Sequence, residues 1–332
     1  MVEFSLSRRV ALAGLAMAIA QSAAAAPRMT RKAQRAVVRA LSAEFVARYV
    51  FPAVAADVAL ALRADLAAGV YDAPRTPPDL AAALTDRLRA LTRDKHVSVR
   101  YSPTPIPVET DRPGPDDGAA RIAEARAEGY GIVRVERLAN NVGFLRLDEF
   151  AAADDAADAI AAAMRLLAYT DALIIDLRAN RGGYPDGVAQ IVSYLIDKPT
   201  HLYDMVERSG EVMDRAWTRD RVAGPHYGER RPVYVLTSGR TFSGGEDLAY
   251  TLKNLKRAVV VGERTGGAAN PGRPFRIDPH FSAFIPFARP VNAVTGGNWE
   301  GEGVTPDIAV PADDAQAAAL RLLKASVPQA ST

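Results

Sequence analysis

The sequence predicts an α/β protein, with a core of alternating strands and helices behind a small N-terminal helical bundle. Two short apolar runs, 172–177 and 233–238, have the length and composition of strands buried inside a sheet, and each leads through small residues into a helical stretch. Residues 30–93, by contrast, are Ala- and Leu-rich blocks with helical spacing throughout.

Residues 1–26 read as an export signal. Ser7-Arg8-Arg9 precedes an apolar run at 10–20, and the small residues at 22–26 offer cleavage sites before Pro27. The paired arginines resemble a twin-arginine signal, with an ordinary Sec signal as the alternative, and the run is short for a membrane span. The expectation is a periplasmic or secreted product without stable membrane insertion.

The helical unit, 27–101, contains blocks at 32–50, 53–68 and 77–92. In the third, Leu80, Leu84, Leu88 and Leu91 form one stripe, and Thr76-Pro77-Pro78-Asp79 resembles a capping box with prolines in the first turn. Alternation at 97–101 then marks a strand, which places His96 at a helix-to-strand junction. Residues 102–118 are Pro-rich and aperiodic, a linker.

The core, 119–314, opens with a short helix. Strands at 131–136 and 142–147 meet around Asn140-Asn141, followed by a helix at 156–167, the 172–177 strand and a helix at 184–196. After the 233–238 strand come a helix at 243–255 and strands at 258–261 and 281–289. A loop at 298–308 runs into a last short strand, and a helix at 315–325 lies in the C-terminal segment 315–332. In such alternating arrangements sites lie beyond the carboxyl ends of the strands.

Composition narrows the chemistry. The formal charge of +2 and the lack of a dense Lys/Arg run argue against nucleic-acid binding. Zero cysteines exclude disulfides, thiolate metal sites and a cysteine nucleophile. Histidines at 96, 201, 226 and 280 are scattered, so neither a metal nor another cofactor is expected.

Ser243 stands where the 233–238 strand delivers the chain to a helix opened by Gly244-Gly245. Two readings are open: a helix-capping serine, or a nucleophile beside N–H groups that receive an oxyanion. The elbow pattern G-x-S-x-G is missed because Thr241 occupies its first glycine position. Gly182-Gly183, between strand and helix, read either as a tight turn or as a ligand-binding turn, with no phosphate-loop motif present. His96 is either a solvated loop histidine or a general base.

Six segments, in order, resemble the carboxy-terminal processing (tail-specific) protease superfamily, in the branch related to the tricorn protease core and to interphotoreceptor retinoid-binding protein. They are D-K-H-V-S-V-R-Y at 94–101, N-N-V-G-F-L-R-L at 140–147, L-I-I-D-L-R-A-N-R-G-G at 173–183, L-T-S-G-R-T-F-S-G-G-E at 236–246, V-V-G-E-R-T-G-G at 260–267 and N-W-E-G-E-G-V-T-P-D-I at 298–308. The resemblance implies a ClpP/crotonase-like ββα core acting on peptides or unfolded protein tails. It implies Ser243 as nucleophile, His96 as general base and Glu300 as supporting carboxylate, with Glu302 as the rival. Gly244 with the Gly182-Gly183 turn would supply the oxyanion hole. It leaves oligomeric state open, and an apolar-ligand binder or an esterase remains an alternative.

Three departures from the family pattern stand out. Ala268 occupies the place of the lysine in the better-known serine–lysine branch, Lys95 replaces the serine that precedes the histidine in the tricorn core, and no segment reads as a PDZ domain.

Overall fold

The computed structural model describes residues 28–73, 75–108 and 117–326. The expected export signal and part of the Pro-rich segment lie outside these residues. The chain begins with α1 (Arg31–Arg48), α2 (Pro52–Ala67), α3 (Pro77–Thr92) and β1 (Ser98–Tyr101). It continues through α4 (Asp117–Ala127), β2 (Ile132–Leu138), β3 (Val142–Leu147), α5 (Ala153–Leu167), β4 (Ala172–Asp176) and α6 (Pro185–Leu195). Next come β5 (His201–Glu207), β6 (Val212–Trp217), β7 (Val233–Thr237), α7 (Gly244–Asn254) and β8 (Val259–Gly262). The last elements are β9 (Gly272–Arg276), β10 (Phe281–Pro286), β11 (Ala288–Asn292), β12 (Ile308–Ala309) and α8 (Ala315–Ser326).

Local sequence explains the N-terminal helices. Thr30 and Thr76 cap α1 and α3 by accepting from Ala33 N and Asp79 N, and α3 stops where Arg93 turns left-handed at φ 59°. Leu80, Leu84 and Leu88 are fully buried, as the stripe requires, while Leu91 is only partly covered. The bundle does not close on itself. Leu41, Phe45, Leu62 and Leu84 share their core with Val97 and Val99 around β1, and with Phe275, Phe281, Ala283 and Ile285 of β9 and β10. These strands form the antiparallel sheet β1-β10-β9, so segments about 180 residues apart (Ser98 opposite Phe284) complete the unit.

The central sheet has the order β12-β8-β7-β4-β3-β2. It is parallel from β12 to β3, and β2 pairs antiparallel at its edge. The β2–β3 turn uses Asn140 and Asn141 at φ 59° and 55°, a conformation asparagine tolerates. Side chains alternate across the sheet. Leu145, Ile175 and Val235 face α5, α6 and α7, whereas Phe144, Ile174 and Leu236 face α8. Between β1 and β2 the described residues contribute α4, and no PDZ domain stands there.

Three strands, β5, β6 and β9, were not foreshadowed by sequence pattern, and the stretch 281–289 divides at Phe287 into β10 and β11, which join different sheets. β6 is almost wholly exposed and mixes charged with apolar residues. Its pairing with β5, not its own periodicity, makes it a strand.

Candidate active site

The site forms where the loops leaving β4 and β7 meet. After β4 the chain turns through 177–183, and fully buried Asn180 holds the turn: its Nδ2 donates to Leu147 O at 3.0 Å and its Oδ1 accepts from Gly182 N at 2.9 Å. The exit of β7 is stitched onto this turn. Ser238 Oγ donates to Arg178 O (2.6 Å), Thr241 Oγ1 to Leu177 O (2.8 Å) and Phe242 N to Asn180 O (3.0 Å). Ser243 is thereby pressed against Gly182, where an added Cβ would stand 2.8 Å from Ser243 Cβ and 3.2 Å from its Oγ.

Ser243 does occupy the cap position of α7. Its N–H donates to Glu246 Oε2 at 2.9 Å, and its carbonyl accepts from Glu246 N and Asp247 N. Its backbone, however, sits at φ 51°, ψ −118°, sparsely populated for a residue with a side chain. That strain presents the side chain to a cleft of about 290 Å³ lined also by His96, Gly183 and Gly244. Glu246 braces the turn from behind: its carboxylate also accepts from Thr265 Oγ1 (2.6 Å), Gly267 N (2.6 Å) and Ala268 N (2.9 Å).

The glycine turn separates into two roles. Gly182 N–H is occupied by Asn180, whereas the N–H groups of Gly183 and Gly244 have no acceptor among the described residues. A Cβ at Gly244 would lie 3.3 Å from Gly183 N, so these donors are neighbours across the α7 N-terminus. Gly182 instead contributes its lack of a side chain, which lets Ser243 approach.

His96 reaches the cleft from the other unit. The left-handed Arg93 ends α3, and Asp94 Oδ1 accepts from His96 N at 3.0 Å, which fixes the short turn into β1. The ring packs against Phe242 and Phe284, with centroids 5.0 and 6.0 Å away. Nδ1 is buried without a hydrogen-bond partner, leaving Nε2 for the cleft. No hydrogen bond links Ser243 Oγ to His96 among the described residues; catalytic contacts of this kind are often loose in unliganded sites. Burial, reinforced by Arg89, pushes the imidazole down to about 4, so it is a neutral base at physiological pH.

Glu300 stands behind His96. Its Oε2 accepts from Ala269 N (2.6 Å) and Asn270 N (3.0 Å), while Oε1 is buried and unpartnered. Atoms of Asp94, His96 and Glu300 lie within 4.8 Å of one another. Asp94, which the sequence reading passed over, is 1% exposed and accepts from Tyr49 Oη (3.1 Å) and Asn270 Nδ2 (3.3 Å). Burial and then the Asp94 charge raise Glu300 to about 7. Asp94 is itself raised, mainly by burial. Its position two residues before His96, where Asp closes a local turn, was the available signal.

The other candidates stand elsewhere. Glu302 is exposed, and its carbonyl accepts from Arg264. Lys95 Nζ turns outward to Gly266 O. Ala268 is fully buried, and Lys253 pairs with Asp307 at 2.8 Å. Asp94, His96 and Glu300 have the donor types of a cation site, but their arrangement beside Ser243 serves equally to orient an imidazole.

An α/β fold here brings a strained serine and a buried neutral histidine to one cleft with a carboxylate behind the histidine, the side-chain types of a serine-hydrolase site. The chain belongs to peptidase family S41, whose model matches residues 141–310. Residues 16–127 match the N-terminal domain of peptidase S41 in eukaryotic IRBP, a match that begins inside the expected export segment. Carboxyl-terminal-processing peptidase 2, chloroplastic, of Arabidopsis thaliana is 30% identical over 173 residues, covering 51% of this chain and 32% of that protein. Carboxy-terminal processing protease CtpB of Bacillus subtilis is 24% identical over 223 residues, covering 66% and 40%. The chain thus spans about a third of the length of the curated relatives it matches. A candidate peptidase from Parabacteroides merdae shares the fold with a TM-score of 0.59 at 18% identity, over 92% of this chain and 100% of that one. A lipoprotein from Streptococcus agalactiae does so at 0.56 and 11%, over 89% and 97%.

Proposed function

We propose that this chain is an exported serine peptidase that cleaves peptides or protein tails through an acyl-enzyme on Ser243. The observation that carries the reading is the convergence of Ser243, His96 and the unpaired N–H groups of Gly183 and Gly244 on one cleft. His96 Nε2 takes the Ser243 proton as Oγ attacks the substrate carbonyl carbon, and the oxyanion is received by the two glycine N–H groups. The imidazolium returns the proton to the leaving amine, and water repeats the cycle on the ester. Glu300, which keeps one buried oxygen unpartnered and has a carboxylate oxygen within 4.8 Å of an imidazole nitrogen, stabilises the imidazolium. Export rests on Arg8-Arg9 and the apolar run at 10–20.

A fluorophosphonate probe tests the nucleophile. The mature protein labels, and Ser243→Ala abolishes the label while keeping its melting temperature; labelling that persists in the variant overturns the assignment. The match of the N-terminal residues to an IRBP domain favours a second reading, a binder of an apolar ligand. A folded wild type that fails to label supports that reading. Comparing peptide with ester substrates separates peptidase from esterase.

A further inference from the structure

One buried charge in the cleft has no part in the chemistry above. Asp247 lies in the first turn of α7, and its N–H donates to Ser243 O at 2.9 Å. It lines the same cleft and is 5% exposed. Its Oδ1 accepts from Thr251 Oγ1 at 3.0 Å, while Oδ2 has no partner among the described residues. The cleft lining contains no lysine or arginine to neutralise it. The same cleft is lined by Tyr203, Met205, Pro290 and Trp299, which are apolar or aromatic.

A cleft lined largely by apolar and aromatic side chains, with one carboxylate whose Oδ2 lacks a partner, matches a side chain with a long apolar stem and a cationic tip. We infer that Asp247 is the specificity-determining residue of this cleft and that the enzyme prefers lysine or arginine at the residue whose carbonyl Ser243 attacks. Burial raises Asp247 to about 7, so the group gains most when a substrate cation arrives and holds it ionised. A carboxylate placed there only to brace α7 would need neither an open oxygen nor a place in the cleft wall.

The proposal rests on Ser243 as nucleophile, so its test separates binding from turnover. Full-length mature Ser243→Ala is titrated with blocked peptides ending in Arg, Lys, Leu or Glu. The Arg and Lys peptides bind at least ~10-fold more tightly than Leu, and Ser243→Ala combined with Asp247→Asn loses that preference. In active protein, Asp247→Asn lowers kcat/KM for Arg and Lys substrates at least ~10-fold and leaves Leu substrates within ~3-fold. Fluorophosphonate labelling of Asp247→Asn shows that its nucleophile is intact. Equal binding of all four peptides, or a basic preference that survives Asp247→Asn, overturns the proposal. A protein that binds Arg peptides selectively but never labels keeps the Asp247 assignment and loses the peptidase reading.

Discussion

Nδ1 of His96 and Oε1 of Glu300 are both buried and both lack a hydrogen-bond partner, while an imidazole nitrogen and a carboxylate oxygen of the pair lie within 4.8 Å. Buried polar atoms without partners are costly, and the nearby carboxylate offsets part of that cost when the imidazole becomes charged.

This relationship sets the pH dependence. Glu300 is raised to about 7 and His96 lowered to about 4, so on acidification the cluster takes a first proton on the carboxylate side and a second on the imidazole. The competent form needs a neutral His96 and an ionised Glu300. With a Leu substrate, which leaves Asp247 unengaged, the kcat/KM profile therefore falls in two steps, partly through about 7 and fully toward about 4, and Glu300→Gln removes the upper step. A profile that rises only at alkaline pH would point to a lysine base and defeat this scheme.

Glu246→Gln destabilises the turn under Ser243. The carboxylate accepts from Ser243 N, Thr265 Oγ1, Gly267 N and Ala268 N, and an amide would aim a donor at some of these donors. The expected cost is roughly 2–4 kcal/mol in urea denaturation, with labelling of Ser243 slowed in the folded fraction. An unchanged urea midpoint would contradict it.

Tyr49→Phe reports on the link between the helical unit and the site. Tyr49 on the C-terminal side of α1 donates to Asp94, which in turn accepts from His96 N. Loss of this bond costs about 1 kcal/mol of stability and lowers kcat more than it changes KM. Unaltered kcat at full stability would show that the helical unit does not tune His96.

Gly182→Ala tests the close approach at Ser243. The added Cβ would meet Ser243 Cβ at 2.8 Å, and the backbone at φ +112° is unfavourable for alanine. Fluorophosphonate labelling should drop on the order of 100-fold, because a small displacement of a nucleophile is costly. Wild-type labelling rates would mean that the turn gives way freely.

Asp247→Asn makes a separate statement about stability. The pKa of Asp247 is raised above its ordinary 3.8 to about 7, so the folded protein binds this proton more tightly than the unfolded chain does. Between those values stability falls as pH rises, and the ionised group opposes folding above about 7. The isosteric amide should stabilise the fold near pH ~8 by roughly 1–3 kcal/mol, seen as a higher melting temperature, and do little near pH ~5. Equal effects at both values would place the charge in solvent.

The sequence by itself determined the elements whose causes are local. The Leu80–Leu84–Leu88 stripe and the Thr76 cap specify α3, the apolar runs specify β4 and β7, and the small residues around Ser243 specify a strand-to-helix turn. It also marked His96, Glu300 and the Gly182-Gly183 turn, but through ordered motifs rather than any visible contact. Tertiary structure decided the rest, because the deciding contacts cross long separations. β1 joins a sheet only when β10, far along the chain, pairs with it, and Asp94 becomes a buried partner only when Tyr49 and Asn270 close over it. Gly182 and Gly183 differ in role because one N–H is taken by Asn180. The charges of His96, Glu300 and Asp247 follow from how completely the fold removes water, which no spacing of residues encodes.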